Sequence, residues 1–291
     1  MKKTTSANYR QRLTAVIDYI HDNINGELDV NTLADVAFMS PYHFHRIYRE
    51  LMQETVNATV RRLRLQKAAI NLIRSDQSIQ TIAQGISYGS VEAFTRAFTK
   101  QFGVSPGTYR STKQWDSSCD EPFIAMLPTE QKRYDTMFNI EMITVDEMHL
   151  AGYPHTGDYM EIGSTFEKLF MNANSRNLLN ENPRSFGLYY DDPKSVATDE
   201  LRSMACLTVD EPQPLDSELE CVTVPAGKCV SILFKGPYAE LEKPYDWLFG
   251  HWVPNSGQEI ADFPPFEEYL NDPKDTPPNE LLTRIYCLLA E

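Results

Sequence analysis

The chain has 291 residues, 42% of them hydrophobic, with 14 Phe, 15 Tyr and 3 Trp, a length that suits two domains and an apolar content that excludes long-range disorder. The formal net charge of -14 is unevenly spread: residues 1–113 hold 15 Lys/Arg against 9 Asp/Glu, and residues 114–291 hold 12 against 32. The first part, at +6, can meet a polyanion, whereas the second, at -20, repels one and attracts cations.

Leu13, Val16, Ile17 and Ile20 recur at helical spacing, and Asn25-Gly26 ends that helix. Asn31 is expected to cap the next, which carries Leu33, Ala34, Val36 and Ala37. Ser40-Pro41 offers an N-cap followed by proline at the first helical position. A long helix is predicted over 58–73, then a short one capped by Ser78 over 79–86, a turn at Tyr88-Gly89, and a last major helix from Ser90. Residues 114–134 mix Pro122 and Pro128 with Ser, Asp and Glu without periodicity and read as a linker.

Beyond it the texture changes. Strand-length apolar stretches fall at 138–144, 185–190, 205–209, 220–224, 230–234 and 284–289, with helical stretches at 161–179 and 239–252. The reading is an α+β domain over 135–291, built from duplicated strand-helix-strand-strand units over about 138–209 and 220–289. The repeat is aligned on Leu150-Ala151-Gly152-Tyr153 against Phe234-Lys235-Gly236-Pro237-Tyr238, where a strand ends in Gly before a helix.

The strongest signal lies in the all-α domain over 1–113. Ser40-Pro41-Tyr42-His43-Phe44-His45-Arg46-Ile47-Tyr48 matches Ser90-Val91-Glu92-Ala93-Phe94-Thr95-Arg96-Ala97-Phe98 in Ser, Phe, Arg and a final aromatic. Each copy follows a short apolar helix and a tight turn, which is the helix-turn-helix unit. Phe44 with Tyr48, and Phe94 with Phe98, stand four apart and anchor one face of each second helix. His45, Arg46, Arg49, Thr95 and Arg96 point elsewhere. Ser40 and Ser90 start those helices, where backbone N–H groups also suit a phosphate. His43 and His45, two residues apart on a helix, do not converge on a metal.

Residues 12–112 resemble the DNA-binding domain of AraC/XylS-type regulators, through Phe94, Arg96, Phe98, Phe102-Gly103-Val104-Ser105-Pro106 and Tyr109-Arg110. The resemblance implies two reading helices in successive major-groove segments, the first using Tyr42, His45 and Arg46 and the second Val91, Glu92, Ala93 and Arg96. Arg46 and Arg96 fit either base reading or phosphate anchoring.

Residues 137–290 resemble GyrI-like effector-binding domains, through Gly187-Leu188-Tyr189-Tyr190-Asp191-Asp192-Pro193, Val224-Pro225-Ala226-Gly227, Lys235-Gly236-Pro237-Tyr238 and Pro265-Phe266-Glu267-Glu268-Tyr269. That family binds amphipathic, often cationic compounds between pseudo-symmetric halves. The resemblance makes Glu267, rather than Glu268, the counter-charge, with Tyr189, Tyr238, Trp247, Trp252, Phe266 and Tyr269 as candidate walls. A buried carboxylate needs a positive partner, and aromatic faces attract cations.

Together these readings describe a ligand-responsive, sequence-specific DNA-binding transcriptional regulator. The expected partners are double-stranded DNA and an amphipathic or cationic small molecule, with RNA polymerase a further candidate. No cofactor, metal or membrane contact is expected. The five cysteines, odd in number and without a C-x-x-C pair, fit a reducing, cytoplasmic setting. The chain reads as a non-enzyme, since no G-x-S-x-G, H-E-x-x-H or phosphate loop occurs. The alternatives for the second domain are a GyrI-like hydrolase or a protein-interaction module.

Overall fold

The computed structural model describes residues 3–112, 138–176, 178, 182–210 and 219–290; the stretch read as a linker, 114–134, lies outside them, as does Cys119. Seven helices come first: α1 (Lys3–Asp22), α2 (Val30–Val36), α3 (Pro41–Met52), α4 (Val56–Arg74), α5 (Ile79–Gly85), α6 (Val91–Phe102) and α7 (Pro106–Thr112). The described residues fall into two compact units that depart from chain order. Residues 7–38 and 51–112 make one, while residues 39–50, most of α3, belong with residues 138–290 in the other.

In the helical unit the caps are set by short polar side chains. Asp29, and not Asn31, caps α2: the helix begins at Val30, and the Asp29 carboxylate accepts from the Thr32 amide at 3.2 Å. Ser78 accepts from the Thr81 amide at 3.0 Å and Ser90 from the Ala93 amide at 3.1 Å. Gly103 closes α6 at φ 75°, a left-handed cap that favours glycine. The core joins Leu65, Ala68 and Leu72 of α4 to Ile82 of α5, Phe94 and Phe98 of α6, and Tyr109 of α7. Phe98 holds Phe102 at 4.5 Å and Tyr109 edge-on at 5.3 Å, ring to ring. Arg110 donates to the carbonyls of Leu72 and Gln77, tying α7 to the end of α4.

The other unit is built on one antiparallel sheet of eight strands: β1 (Glu141–Val145), β2 (Met148–Thr156), β3 (Ser185–Tyr189), β4 (Arg202–Val209), β5 (Glu220–Val224), β6 (Gly227–Lys235), β7 (Phe266–Tyr269) and β8 (Leu282–Leu288). Their order is β1-β6-β8-β7-β3-β4-β2-β5. Exchanging β1 to β4 with β5 to β8 reverses this order, so the duplication is a two-fold relation within one sheet. Each half lends its first strand to the other, β1 to β6 and β5 to β2. Between the strands come α8 (Gly163–Ser175) in the first half. In the second come α9 (Glu242–Trp247), a π-turn over Leu248–Trp252 and α10 (Val253–Ser256).

The structure corrects the alignment of the repeat. Gly236-Pro237-Tyr238 corresponds to Gly157-Asp158-Tyr159, and both glycines take positive φ, 153° and 126°, as the chain turns off its strand. A 3₁₀ turn follows each, Tyr159–Glu161 and Tyr238–Glu240. Gly152 instead lies within β2, where a Cβ would come 2.6 Å from Cys206 Sγ. Strand β7 was not anticipated, because Phe266-Glu267-Glu268-Tyr269 lacks alternation. Its two glutamates are both buried, one on each face of the sheet.

Side chains alternate across the sheet. Ala151, Tyr153, Tyr189, Ala205 and Leu207 pack with Leu169 and Ala173 of α8. Leu150, Phe186, Leu188, Phe266 and Tyr286 form a second cluster on the opposite face. Among the described residues, no helix is long and apolar enough to cross a membrane.

Candidate functional site

Strands β3 and β7 are neighbours, and their register pairs Gly187 with Glu267. By the internal repeat these two residues are also equivalents, so the two-fold relation runs between them. Only one of the pair carries a side chain. A Cβ at Gly187 would sit 2.7 Å from the Tyr269 hydroxyl and 2.8 Å from the Tyr189 ring, so glycine there is a requirement of close packing.

Tyr189 and Tyr269, also equivalents, meet across the axis with hydroxyl oxygens 2.6 Å apart. Tyr269 donates to Glu267 Oε2 at 3.1 Å and Tyr245, from α9, donates to Oε1 at 3.0 Å. With the Tyr269 proton so committed, Tyr189 is the donor to Tyr269. Tyr159 stands edge-on to Tyr189 at 4.8 Å; Tyr238 and Phe166 stand edge-on to Tyr269 at 5.4 and 5.5 Å. These rings and Glu267 line a cavity of about 1230 Å³.

Glu267 is 3% exposed, and among the described residues no Lys or Arg lies within ion-pair distance of it. Burial pushes its carboxyl up to about 7, against the opposing pull of the two tyrosine hydrogen bonds and the Arg46 charge. Burial, and then the neighbouring Glu267, raise Tyr245 well above the ordinary phenol range. Glu268 faces the other way. Arg184 grips it at 2.7 and 2.9 Å, Tyr286 donates to it at 2.6 Å, and these contacts hold it below the ordinary range against the effect of burial.

A model of the GyrI-like small molecule binding domain matches residues 138–290, more than half of the chain, and a helix-turn-helix domain model matches residues 33–112. The chain belongs to the GyrI-like family. Its helix-turn-helix domain is of the AraC type. Curated relatives include the uncharacterized HTH-type transcriptional regulator YbfP of Bacillus subtilis, 31% identical over 117 residues, which are 40% of this chain and 40% of that protein. The RCS-specific HTH-type transcriptional activator RclR of Escherichia coli is 34% identical over 38% of each chain. Transcriptional regulator Rob of Salmonella typhimurium is 29% identical over 48% of this chain and 50% of its own. The chain thus spans half or less of the length of these relatives.

The GyrI-like domain places the residues singled out in the sequence unequally. Tyr189, Tyr238, Glu267 and Tyr269 share the cavity. Phe266 lies on the opposite face, stacked on Tyr286 at 4.9 Å, because strand alternation turns it away from Glu267. Trp247 packs its ring on Phe138 at 5.9 Å and on His251 at 5.7 Å, outside the cavity lining, and half-buried Trp252 is outside it too. Tyr159, Phe166 and Tyr245 line the cavity without having been anticipated. The spacing of about eighty residues that relates Gly157-Asp158-Tyr159 to Gly236-Pro237-Tyr238, and Asp192-Pro193-Lys194 to Asp272-Pro273-Lys274, was the available signal for Tyr159.

The two matched helices of the internal repeat, α3 and α6, also differ. On α6, Ser90, Glu92 and Arg96 are exposed and Thr95 is half-buried. On α3 the corresponding face is covered. The Ser40 hydroxyl donates to Asp262 at 2.7 Å, and the Tyr42 ring lies 6.0 Å from Tyr190. Arg46 is 5% exposed and donates to the Asp191 carbonyl at 2.6 Å, with its guanidinium 4.7 Å from the Tyr245 ring centre. Arg49 reaches Asp192 and Asp246, each at 3.0 Å, and Glu50 at 3.1 Å. Burial works to raise Asp192, yet Arg46 and Arg49 hold it below the ordinary carboxylate range. Burial lowers both His43, to about 4, and the half-buried His45.

Proposed function

We propose that this chain is a transcriptional regulator in which the helix-turn-helix domain reads duplex DNA and the GyrI-like cavity binds an amphipathic organic cation as effector. One observation carries the second part. Glu267 is buried in an aromatic cavity with hydrogen bonds from tyrosines and with no ion pair among the described residues. A carboxylate in that setting is costly when ionised, and an incoming cation relieves the cost. The surrounding tyrosines offer ring faces to the same cation. The first part rests on the AraC-type match and on the exposed, Ser90-capped α6 with Arg96 on its outer face.

The test is calorimetry on the full chain with phenylguanidinium and with neutral phenylurea of the same shape. The wild type should prefer the cation, and Glu267→Gln, which keeps the shape and removes the charge, should abolish the preference. Equal discrimination by both proteins refutes Glu267 as the counter-charge. Salt-dependent binding of the full chain to duplex DNA tests the other half, since counterion release makes such binding fall steeply with salt.

A further inference from the structure

Helix α3 is where the two proposed activities meet, because the side chains that would read DNA are spent on the cavity wall. Arg46 and Arg49 both line the cavity. The Arg46 guanidinium lies over Tyr245, whose hydroxyl binds Glu267, and 5.7 Å from the Phe249 ring centre. Its Nε is buried without a hydrogen-bond partner. A planar cation on a tyrosine face, beside a buried carboxylate and under-bonded at its own edge, is held as a ligand would be rather than as an arginine in a finished salt bridge. A side chain 5% exposed in that position cannot also lie in a DNA groove.

We propose that Arg46 is a tethered ligand of the effector cavity. Its guanidinium takes the cation position on Tyr245, so a free effector carrying a planar delocalised cation, a guanidinium or amidinium, competes with it and releases α3 to DNA. The inference rests on the cation-binding reading above and adds the class of cation and the sign of its effect. Two polyanions contend for the same two arginines: the carboxylates Asp192 and Asp246 with the Asp191 carbonyl on one side, and DNA phosphate on the other. An effector that enters only when Arg46 has left must, by reciprocity, tighten DNA binding by the factor by which DNA tightens effector binding.

Three measurements on the full chain decide it. Phenylguanidinium should tighten binding to a mixed-sequence duplex at low salt about tenfold, within the usual range of coupling, and phenylurea should leave it unchanged. Arg46→Met, which keeps an unbranched apolar chain and removes the internal competitor, should bind phenylguanidinium about tenfold more tightly than the wild type. Ser40→Cys with Asp262→Cys, in a Cys221→Ser background, joins two side chains whose ends lie 2.7 Å apart. The oxidised protein should lose the tightening by phenylguanidinium and regain it on reduction, so that the same molecules serve as their own folding control.

Cation binding by the wild type with no gain in Arg46→Met, or with unchanged DNA affinity, overturns the tethered-ligand inference and leaves the effector reading standing. A crosslinked chain that responds to phenylguanidinium as the reduced chain does also overturns it. Failure of both the wild type and Arg46→Met to bind phenylguanidinium, with full DNA binding retained, overturns both readings.

Discussion

At the scale of single residues, Gly187 and Glu267 define the chemistry. They are equivalents in the repeat, and a carboxylate at both positions would set two like charges side by side in a buried site. The asymmetry Gly/Glu gives one charge and the room to hold it. Gly187→Ala places a methyl 2.7 Å from the hydroxyl of half-buried Tyr269 and 2.8 Å from the buried Tyr189 ring. It should cost about 1–3 kcal/mol in stability, the usual range for overpacking, and should weaken cation binding. Denaturant titration and calorimetry of the same sample check both.

Glu267 also carries a pH signature. Its carboxyl titrates at about 7 when folded, above its ordinary value of 4.5. Its stabilising share is therefore complete below 4.5 and is lost as pH rises through about 7. Glu267→Gln, free of that loss, should raise Tm at pH 8 relative to the wild type, with a smaller gain at pH 5. A gain independent of pH would mean that the carboxylate is not strained by burial. Cation affinity in the wild type should follow the opposite course, falling as pH drops below about 7, since the protonated acid is no counter-charge.

At the scale of elements, α3 and α6 have matched sequences and unlike surroundings. Ser90 spends its oxygen as an N-cap acceptor, while the Ser40 hydroxyl donates to Asp262. Ser90→Ala should cost about 1 kcal/mol in stability through the lost cap. Arg96 is exposed on α6 and available to DNA as the molecule stands. Arg96→Ala should weaken DNA binding by about 1–3 kcal/mol if it reads a base, with preference relaxed at one position. An equal loss on every sequence assigns it to phosphate. In the absence of effector Arg46→Ala should cost less than Arg96→Ala, which competition binding to DNA would show.

Packing on α3 contributes a second pH effect. His43 stacks on Phe249 at 5.4 Å, donates from Nε2 to the Phe263 carbonyl at 2.9 Å, and lies near Arg46 and Asp262. Burial holds it neutral down to about 4, below the ordinary 6.5. The stability it lends to this packing is full above 6.5 and is lost as pH falls through about 4. Protonation of Glu267, which faces Tyr245, Tyr269 and Arg46, acts in the opposite direction, because a carboxyl raised to about 7 lends stability as pH falls. Amide exchange in α3, corrected for intrinsic rates, should therefore quicken as pH falls from 6.5 towards about 4, and His43→Gln should remove that dependence. Protection that stays constant from pH 6.5 to about 4 in the wild type would show that His43 does not support the helix.

For the whole molecule, local pattern determined a great deal. The helical repeat around Ser40 and Ser90 needs only i, i+4 anchors and short polar caps, which are properties of neighbouring residues. The charge split of +6 and -20 is pure composition. The duplication followed from strand-length apolar runs, although each half has two strands, not one, before its helix. The pair of glutamates at 267–268 could be told apart only through resemblance, because in sequence they differ by a single position. Their separation to a tyrosine-lined cavity and to an Arg184 clamp is the work of strand alternation in β7.

Long-range pairing decided the rest. The exchange of β1 and β5 between halves, the register that sets Gly187 against Glu267, and the recruitment of Tyr159, Phe166 and Tyr245 all join residues far apart in the chain. Trp247 and Trp252 are as aromatic as the residues that line the cavity, yet their helical positions turn them elsewhere. The same holds for Arg46 and Arg49. Sequence shows them as two cations on the outer face of the second helix of a helix-turn-helix unit, and nothing local distinguishes a groove of DNA from a cluster of carboxylates as their partner. Coulombic attraction is indifferent to the source of negative charge. Only the folded chain, with Asp191, Asp192 and Asp246 brought beside α3, shows which one they hold.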